Sequence, residues 1–321
     1  FITLDDLEHV LYATAEDPMT GEYRLWTTPD RGGSPTAFTT TDTLSSGFTS
    51  EWGNLVSWSY YTDGTTQFVG EDAVVQTVEL PDIFTGDPSA SNDGVGWTGP
   101  RTSWHPAGRY IAYTTQVTNP WTEELTFAVM LKDTTTGNIT GPLLEEGQTD
   151  FVSFEQIWLN QSEILIIGAD ADGTYQIMTG DPFDFIYDSE NDADLWTPTV
   201  LVEEDHYIGY PLSDQQGNIF YRCEENGIKD ICRYNTETEV AETLIAIGTD
   251  VNYGGMKLSS DLVTTLAFQV GLDPIKICYY SFELDEINCP HFGSRTAASP
   301  TIPSIFTYLY RVNGKTQMGI N

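Results

Sequence analysis

One stretch constrains this chain more than any other: Thr102-Ser103-Trp104-His105-Pro106-Ala107-Gly108-Arg109-Tyr110-Ile111-Ala112-Tyr113-Thr114-Thr115. It reads as strand, tight Pro-x-Gly turn, strand. So short a turn folds the second strand back on the first. Residues then alternate between the two faces of a small sheet, which places Trp104 on one face and Tyr110, Ala112 and Thr114 together on one.

The unit recurs. Trp158 opens Trp158-Leu159-Asn160-Gln161-Ser162-Glu163-Ile164-Leu165-Ile166-Ile167. Leu212 opens Leu212-Ser213-Asp214-Gln215-Gln216-Gly217-Asn218-Ile219-Phe220-Tyr221, and Leu258 opens Leu258-Ser259-Ser260-Asp261-Leu262-Val263-Thr264-Thr265-Leu266-Ala267-Phe268. The intervals are 54, 54 and 46 residues. Leu4 to Tyr12 fits the same template 100 residues before Trp104, which leaves room for one more unit around Trp52 to Leu80. Ser304 to Tyr310 reads as the second strand of a last unit. After each turn come a polar loop, a third strand and a turn into a fourth, as in Phe127 to Gly137 and Ile231 to Thr238. Periods in the forties and fifties with four short strands each are what a propeller blade requires. No segment carries sustained helical periodicity with caps, so the chain reads as all-β with essentially no helix. A β-sandwich is the alternative arrangement of such strands.

The turn and its following strand resemble the repeat of TolB-like (WD40-like, PD40) β-propellers. Their pattern is Ser-Trp-Ser-Pro-Asp-Gly followed by an Ile-Ala-Phe/Tyr strand. His105 stands for the second Ser and Ala107 for the Asp. The resemblance implies a ring of four-stranded blades, seven by preference and six as the alternative. Approximate blades are 1–44, 45–88, 100–148, 151–205, 208–249, 250–294 and 295–321, in one domain spanning 1–321. The last has room for only two or three strands. The stretches Gly86 to Gly99 and Asp181 to Trp196 read as long loops on a rim.

The charge is −35, from 48 Asp and Glu against 13 Lys and Arg, and it is spread along the chain. Such a field repels nucleic acid and anionic membranes and suits solubility or cationic partners. No run of 18 apolar residues marks a membrane span. Phe1 is not a start methionine, which leaves room for a removed leader.

Four cysteines form two local pairs. Cys223 and Cys232 flank an Asn226-Gly227 hairpin turn, and Cys278 and Cys289 flank Phe282-Glu283-Leu284-Asp285. Each pair falls on neighbouring strands of one blade, in disulfide range. A Cys232–Cys278 link and four free thiols are the alternatives. Two disulfides place the chain in an oxidising compartment: extracellular, cell surface or periplasmic. Asn138-Ile139-Thr140 and Asn160-Gln161-Ser162 are glycosylation sequons in turns.

Motifs for chemistry are scarce. His9, His105, His206 and His291 stand in no metal-ligand spacing, and no Gly-x-Ser-x-Gly elbow occurs. Ser91 to Trp97 approaches a sialidase Asp-box but has Val95 where Gly belongs, and reads as a loop. The candidate cation sites are alternating carboxylates, Asp170 with Asp172 and Asp188, Glu190, Asp192 and Asp194, which suit calcium. No other cofactor is indicated. Trp97, Trp121 and Trp196 sit in loops as candidate ligand-contact aromatics. The sequence thus reads as a binding or assembly module for a protein or glycan at the cell exterior. The alternative is a secreted carbohydrate-active enzyme, hydrolase or lyase, with acids in the central channel.

Overall fold

The computed structural model describes the backbone of the strands named below and of the turns at 105, 108–109, 134–138, 141, 143, 159–163, 172–174, 181–184, 197–198, 205–206, 214, 216–217, 226–227, 236–239, 259, 264, 271 and 282–285. Side chains are described at Val78 and, with gaps, over 103–113, 129–143, 155–185, 196–248 and 256–292. Among the described residues every element is a strand and no helix occurs.

The strands form successive antiparallel sheets. The first holds β1 (Ile2–Asp5), β2 (Val10–Glu16), β3 (Tyr23–Pro29) and β4 (Thr36–Thr41). The second holds β5 (Ser46–Thr49), β6 (Val56–Ser59), β7 (Thr65–Val69) and β8 (Val75–Glu79). The third holds β9 (Thr102–Trp104), β10 (Tyr110–Thr118), β11 (Leu125–Asp133) and β12 (Ile139–Thr140). In the fourth, β13 (Phe151–Trp158), β14 (Ile164–Asp170) and β15 (Tyr175–Gly180) lead into a separate ribbon of β16 (Phe185–Asp188) and β17 (Ala193–Trp196) before β18 (Thr199–Glu204) completes the sheet. The fifth holds β19 (Tyr207–Ser213), β20 (Asn218–Glu225), β21 (Ile228–Asn235) and β22 (Val240–Gly248). The sixth holds β23 (Tyr253–Leu258), β24 (Thr265–Val270), β25 (Lys276–Ser281) and β26 (Glu286–Phe292). The seventh has three strands, β27 (Ser294–Ala298), β28 (Phe306–Val312) and β29 (Lys315–Ile320).

Apolar clusters lie between consecutive sheets. Ile164 and Ile166 of β14 pack with Ala112, Val129 and Leu131 of the third sheet. The intervening Leu165 and Ile167 pack with Ile208, Ile219 and Tyr221 of the fifth. All four β14 residues are at most 3% exposed. Strand alternation therefore sends one set of side chains to each neighbour, and the strand is buried on both faces. A third cluster joins the fifth and sixth sheets through Phe220, Ile231, Leu266 and Phe268. The first strands touch in sequence: β9 with β13, β13 with β19, β19 with β23, β23 with β27, and β27 with β1.

The turn after each first strand closes the same way. Backbone N–H groups of His105, Leu159, Asp214 and Ser259 donate to Tyr110, Glu163, Asn218 and Thr265. The residues just before them are therefore equivalent: Trp104, Trp158, Ser213 and Leu258. In the fifth sheet the template position is thus Ser213 and not Leu212. A register shift between Gly209 and Leu212 inserts one residue in β19 and reverses the alternation beyond it. Leu212 accordingly packs in the cluster shared with the sixth sheet.

The two hairpins of a sheet that share a face are stapled together. Thr134, Thr236 and Phe282 N–H groups, in the turns before the fourth strands, donate to Arg109, Gly217 and Thr264 in the turns after the first strands. Asp133 and Asn235 carboxyl or amide oxygens cap those later turns by accepting from the two N–H groups beyond Thr134 and Thr236. These are Asx turns, which explains the recurrent Asp-Thr and Asn-Thr.

Trp158 is 1% exposed, its indole N–H donates to the Ser103 carbonyl at 3.2 Å, and its own N–H donates to Ser103 Oγ at 3.1 Å. It ties the fourth sheet to the third by packing and hydrogen bonds together. Trp158→Ala is expected to cost about 3–5 kcal/mol, whereas Leu284→Ala, 64% exposed in a turn, should stay within about 0.5 kcal/mol. Denaturant unfolding of both variants measures the difference.

Candidate functional site

The most distinctive polar cluster lies where the first strands of the fourth and fifth sheets meet. The Gly209 and Tyr210 backbone departs there from regular pairing with β20. Tyr210 holds φ at 56°, a conformation that costs a non-glycine residue on the order of 1–3 kcal/mol. Its N–H donates to Oε2 of Glu155 on β13, across the sheet boundary. A Cβ on Gly209 would stand 2.5 Å from the Tyr207 hydroxyl and 3.3 Å from Glu155 Oε1, so a larger residue would displace the Tyr207 ring. Gly209, Tyr210 and Glu155 thus form one device that pins a bulged first strand to its neighbour.

Aromatic rings and a cation surround it. The Arg222 guanidinium, on the residue paired with Gly209, lies 4.5 Å from the Tyr210 ring centre and 5.7 Å from that of Tyr207. Tyr175 meets Tyr207 edge-on at 5.5 Å. Burial, and then the Glu155 charge, raises the Tyr175 phenol pKa. Glu155, Tyr175, Tyr207, Tyr210 and Arg222 are all half-buried. The set offers ring faces for stacking, a fixed cation and phenolic hydroxyls, which together suit binding of a polar ligand with flat apolar faces. The Glu155 carboxylate is committed to the Tyr210 N–H and acts by position.

Nothing in spacing alone announces these residues. The available signal is Gly209-Tyr210-Pro211 inside an apolar strand, because glycine and proline in a strand interior mark a bulge.

The residues singled out from sequence are scattered. Cys223 is bonded to Cys232 and Cys278 to Cys289, each within one sheet. Cys223 faces Asp230 across β20 and β21, so its partner is the diagonal neighbour two residues on. Trp196 requires a correction. It lies in β17 and not in a loop, is 1% exposed, and donates its indole N–H to the Asp181 carbonyl at 2.8 Å. The segment Asp181 to Trp196 folds back as a ribbon, so this indole fills core space. Trp97 and Trp121 lie outside the described residues.

Asn138 is exposed in the turn before β12. Asn160 instead builds its turn: Oδ1 accepts from the Ser162 and Glu163 N–H groups, and Nδ2 donates to Glu163 Oε2 at 2.7 Å.

Asp170 ends β14, and Asp172 is exposed in the following turn. Asp188 and Asp194 stand on the two arms of the ribbon, with Glu190 and Asp192 outside the described residues. Among the described residues no three His, Cys, Asp or Glu side chains converge as metal ligands. His105 is structural: Nε2 bonds the Gln161 carbonyl at 2.9 Å and the ring meets Trp158 edge-on at 4.7 Å. His206 lies 3.7 Å from Glu204 and 3.6 Å from Asp205. His9 is outside the described residues, and of His291 only the backbone, in β26, is described.

No protein-family model matches the chain, and no curated protein matches its sequence. Solved structures do. A prolyl endopeptidase superposes at TM-score 0.61 with 7% identity over 100% of this chain and 49% of its own. TolB from Acinetobacter baumannii gives TM-score 0.55 and 12% identity over 88% of this chain and 63% of its own. Oligogalacturonate lyase from Vibrio parahaemolyticus gives 0.57 and 9% over 100% and 95%. The chain has a propeller-like fold. It spans about half the length of the endopeptidase and under two thirds of TolB.

Tyr221 and Tyr280 make the fold sensitive to alkali. Burial, and then the Glu204 charge, pushes the Tyr221 phenol up to about 12. Burial, and then a 2.7 Å bond from its hydroxyl to Asp285, does the same for Tyr280. An unfolded phenol ionises near pH 10. The stability these phenols contribute is therefore complete below about pH 10 and is lost as pH rises toward about 12. Unfolding free energy measured across that window should fall, and Tyr280→Phe should make the fall shallower.

Proposed function

We propose that the seven sheets close into one seven-bladed ring, residues 1–321, through the contact of β1 with β27, and that the protein is a binding or assembly module outside the cytoplasm. The observation that carries the functional reading is the placement of its acids. Of 48 Asp and Glu, only Asp5 and Glu155 lie on the seven first strands, which line the axis of such a ring. They belong to the first and fourth sheets, and Glu155 is held by Tyr210.

A glycosidase needs two carboxylates about 5–10 Å apart, and those strands do not supply an obvious pair. The remaining acids decorate outer strands and turns, where they solvate the ring, repel nucleic acid and favour cationic partners. The Glu155, Tyr207, Tyr210 and Arg222 cluster suits recognition of a protein or glycan. Fold likeness to a peptidase, to TolB and to a lyase does not choose between these activities.

Two disulfides support an oxidising compartment. Intact-mass measurement after alkylation without reductant should find no modified cysteine, and four after reduction; thiols reactive before reduction would count against secretion. Incubation with a broad polysaccharide panel should release neither reducing ends nor unsaturated uronates. Release from any member that Glu155→Gln abolishes would replace this reading with the carbohydrate-active one.

A further inference from the structure

The two disulfides sit in different surroundings. Cys223–Cys232 joins β20 to β21, the second and third strands of the fifth sheet. Their ladder runs unbroken from Asn218 opposite Asn235 to Glu225 opposite Ile228. Cys223 is 5% exposed, Cys232 is half-buried, and both pack in the apolar cluster shared with the fourth sheet. Cys278–Cys289 instead joins β25 to β26, the third and fourth strands of the sixth sheet. Cys278 is 2% exposed in the cluster shared with the fifth sheet. Cys289 is exposed, as is every residue from Glu283 to Pro290.

The strand around Cys289 is weakly held. Tyr279 faces Asn288 and Ile277 faces His291, so Cys289 and Pro290 together oppose Cys278 in a bulge. Pro290 has no N–H to give the ladder. Beyond the bulge two pairs follow, Ile277 with His291 and Lys276 with Phe292, and Phe292 is 59% exposed. The disulfide therefore gives residues 289–292 the attachment that packing and an unbroken ladder give to β20 and β21.

We propose that Cys278–Cys289 is a redox switch. A dithiol reductant opens it while the body stays folded and Cys223–Cys232 stays closed, and opening frees residues 289–292 from the sheet. A thiolate of the reductant attacks Cys289 Sγ, the S–S bond breaks, and Cys278 leaves as a thiolate that takes up a proton. The second thiol of the reductant then attacks the mixed disulfide and releases Cys289. Two electrons and two protons pass to the protein, and the dithiol becomes a disulfide. Expelling a buried thiolate is unfavourable in either pair, because Cys223 and Cys278 are both buried. Access to the partner sulfur therefore decides between them, and it favours Cys289. Once reduced, Cys278 stays in its cluster as a small apolar group.

Graded dithiothreitol, with alkylation of samples taken over time and mass mapping of each cysteine, tests the proposal alongside amide exchange. Cys278 and Cys289 should take label about tenfold sooner than Cys223 and Cys232. In the form reduced at that one disulfide, the amides of Cys289, His291 and Phe292 should exchange faster, while those of β20 and β24 keep their protection. Oxidised glutathione should reverse both changes. A variant with Cys278→Ala and Cys289→Ser should show the same fast exchange without reductant. If that variant does not fold, the labelled wild-type protein decides. Labelling of all four cysteines together, labelling of Cys223 and Cys232 first, or reduction only in denaturant would each overturn the proposal. So would labelling of Cys278 and Cys289 with unchanged exchange in β26, or with loss of protection in β24.

Discussion

The rest of the structure depends on one constraint: in the third to sixth sheets the second strand is buried on both faces. Ile111, Ala112 and Tyr113 are at most 1% exposed, Ile164 to Ile167 at most 3%, Ile219 to Tyr221 at most 2%, and Leu266 to Phe268 at most 2%. A strand so placed needs apolar cover on each side, and another sheet of the same kind supplies it. A row of such sheets leaves an uncovered face at either end unless the row closes. The contact between β1 and β27 brings the two ends together. Trp158 shows how firmly one boundary is made, since its indole both fills the gap between sheets and hydrogen-bonds across it.

Much of this was legible because turns have local causes. The Pro106-x-Gly108 turn, the Asp and Asn caps and the cysteine pairs are set by residues a few positions apart, so sequence spacing captures them. Features that depend on distant chain were not visible. The repeat template slipped by one residue at Leu212, where the apolar side chain faces the sixth sheet and Ser213 holds the equivalent position. Trp196 looked like a loop residue beside Pro198 and the acidic stretch before it. It is buried because that stretch pairs with itself and swings the indole back under Gly180. The Glu155 and tyrosine cluster has no spacing of its own, since its members come from β13, β15, β19 and β20.

Charge and architecture divide the molecule in a consistent way. Carboxylates are nearly absent from the first strands and entirely absent from the last sheet, and crowd the outer strands and turns of the others. An acidic exterior keeps such a body dispersed in solution. The tyrosine and arginine cluster between the fourth and fifth sheets holds one of the two carboxylates on the first strands, Glu155, bound to the Tyr210 N–H.

Closure of the ring is the claim on which the account rests, and a distance between its two ends measures it directly. Spin labels on Thr3 of β1 and Ala297 of β27, read by pulsed or continuous-wave electron resonance, should report one narrow, short separation of the order of 10 Å, the spacing of packed sheets. It should vanish in denaturant. A broad or long distribution in the native protein would mean that the first and last sheets do not meet, and would contradict the closed ring.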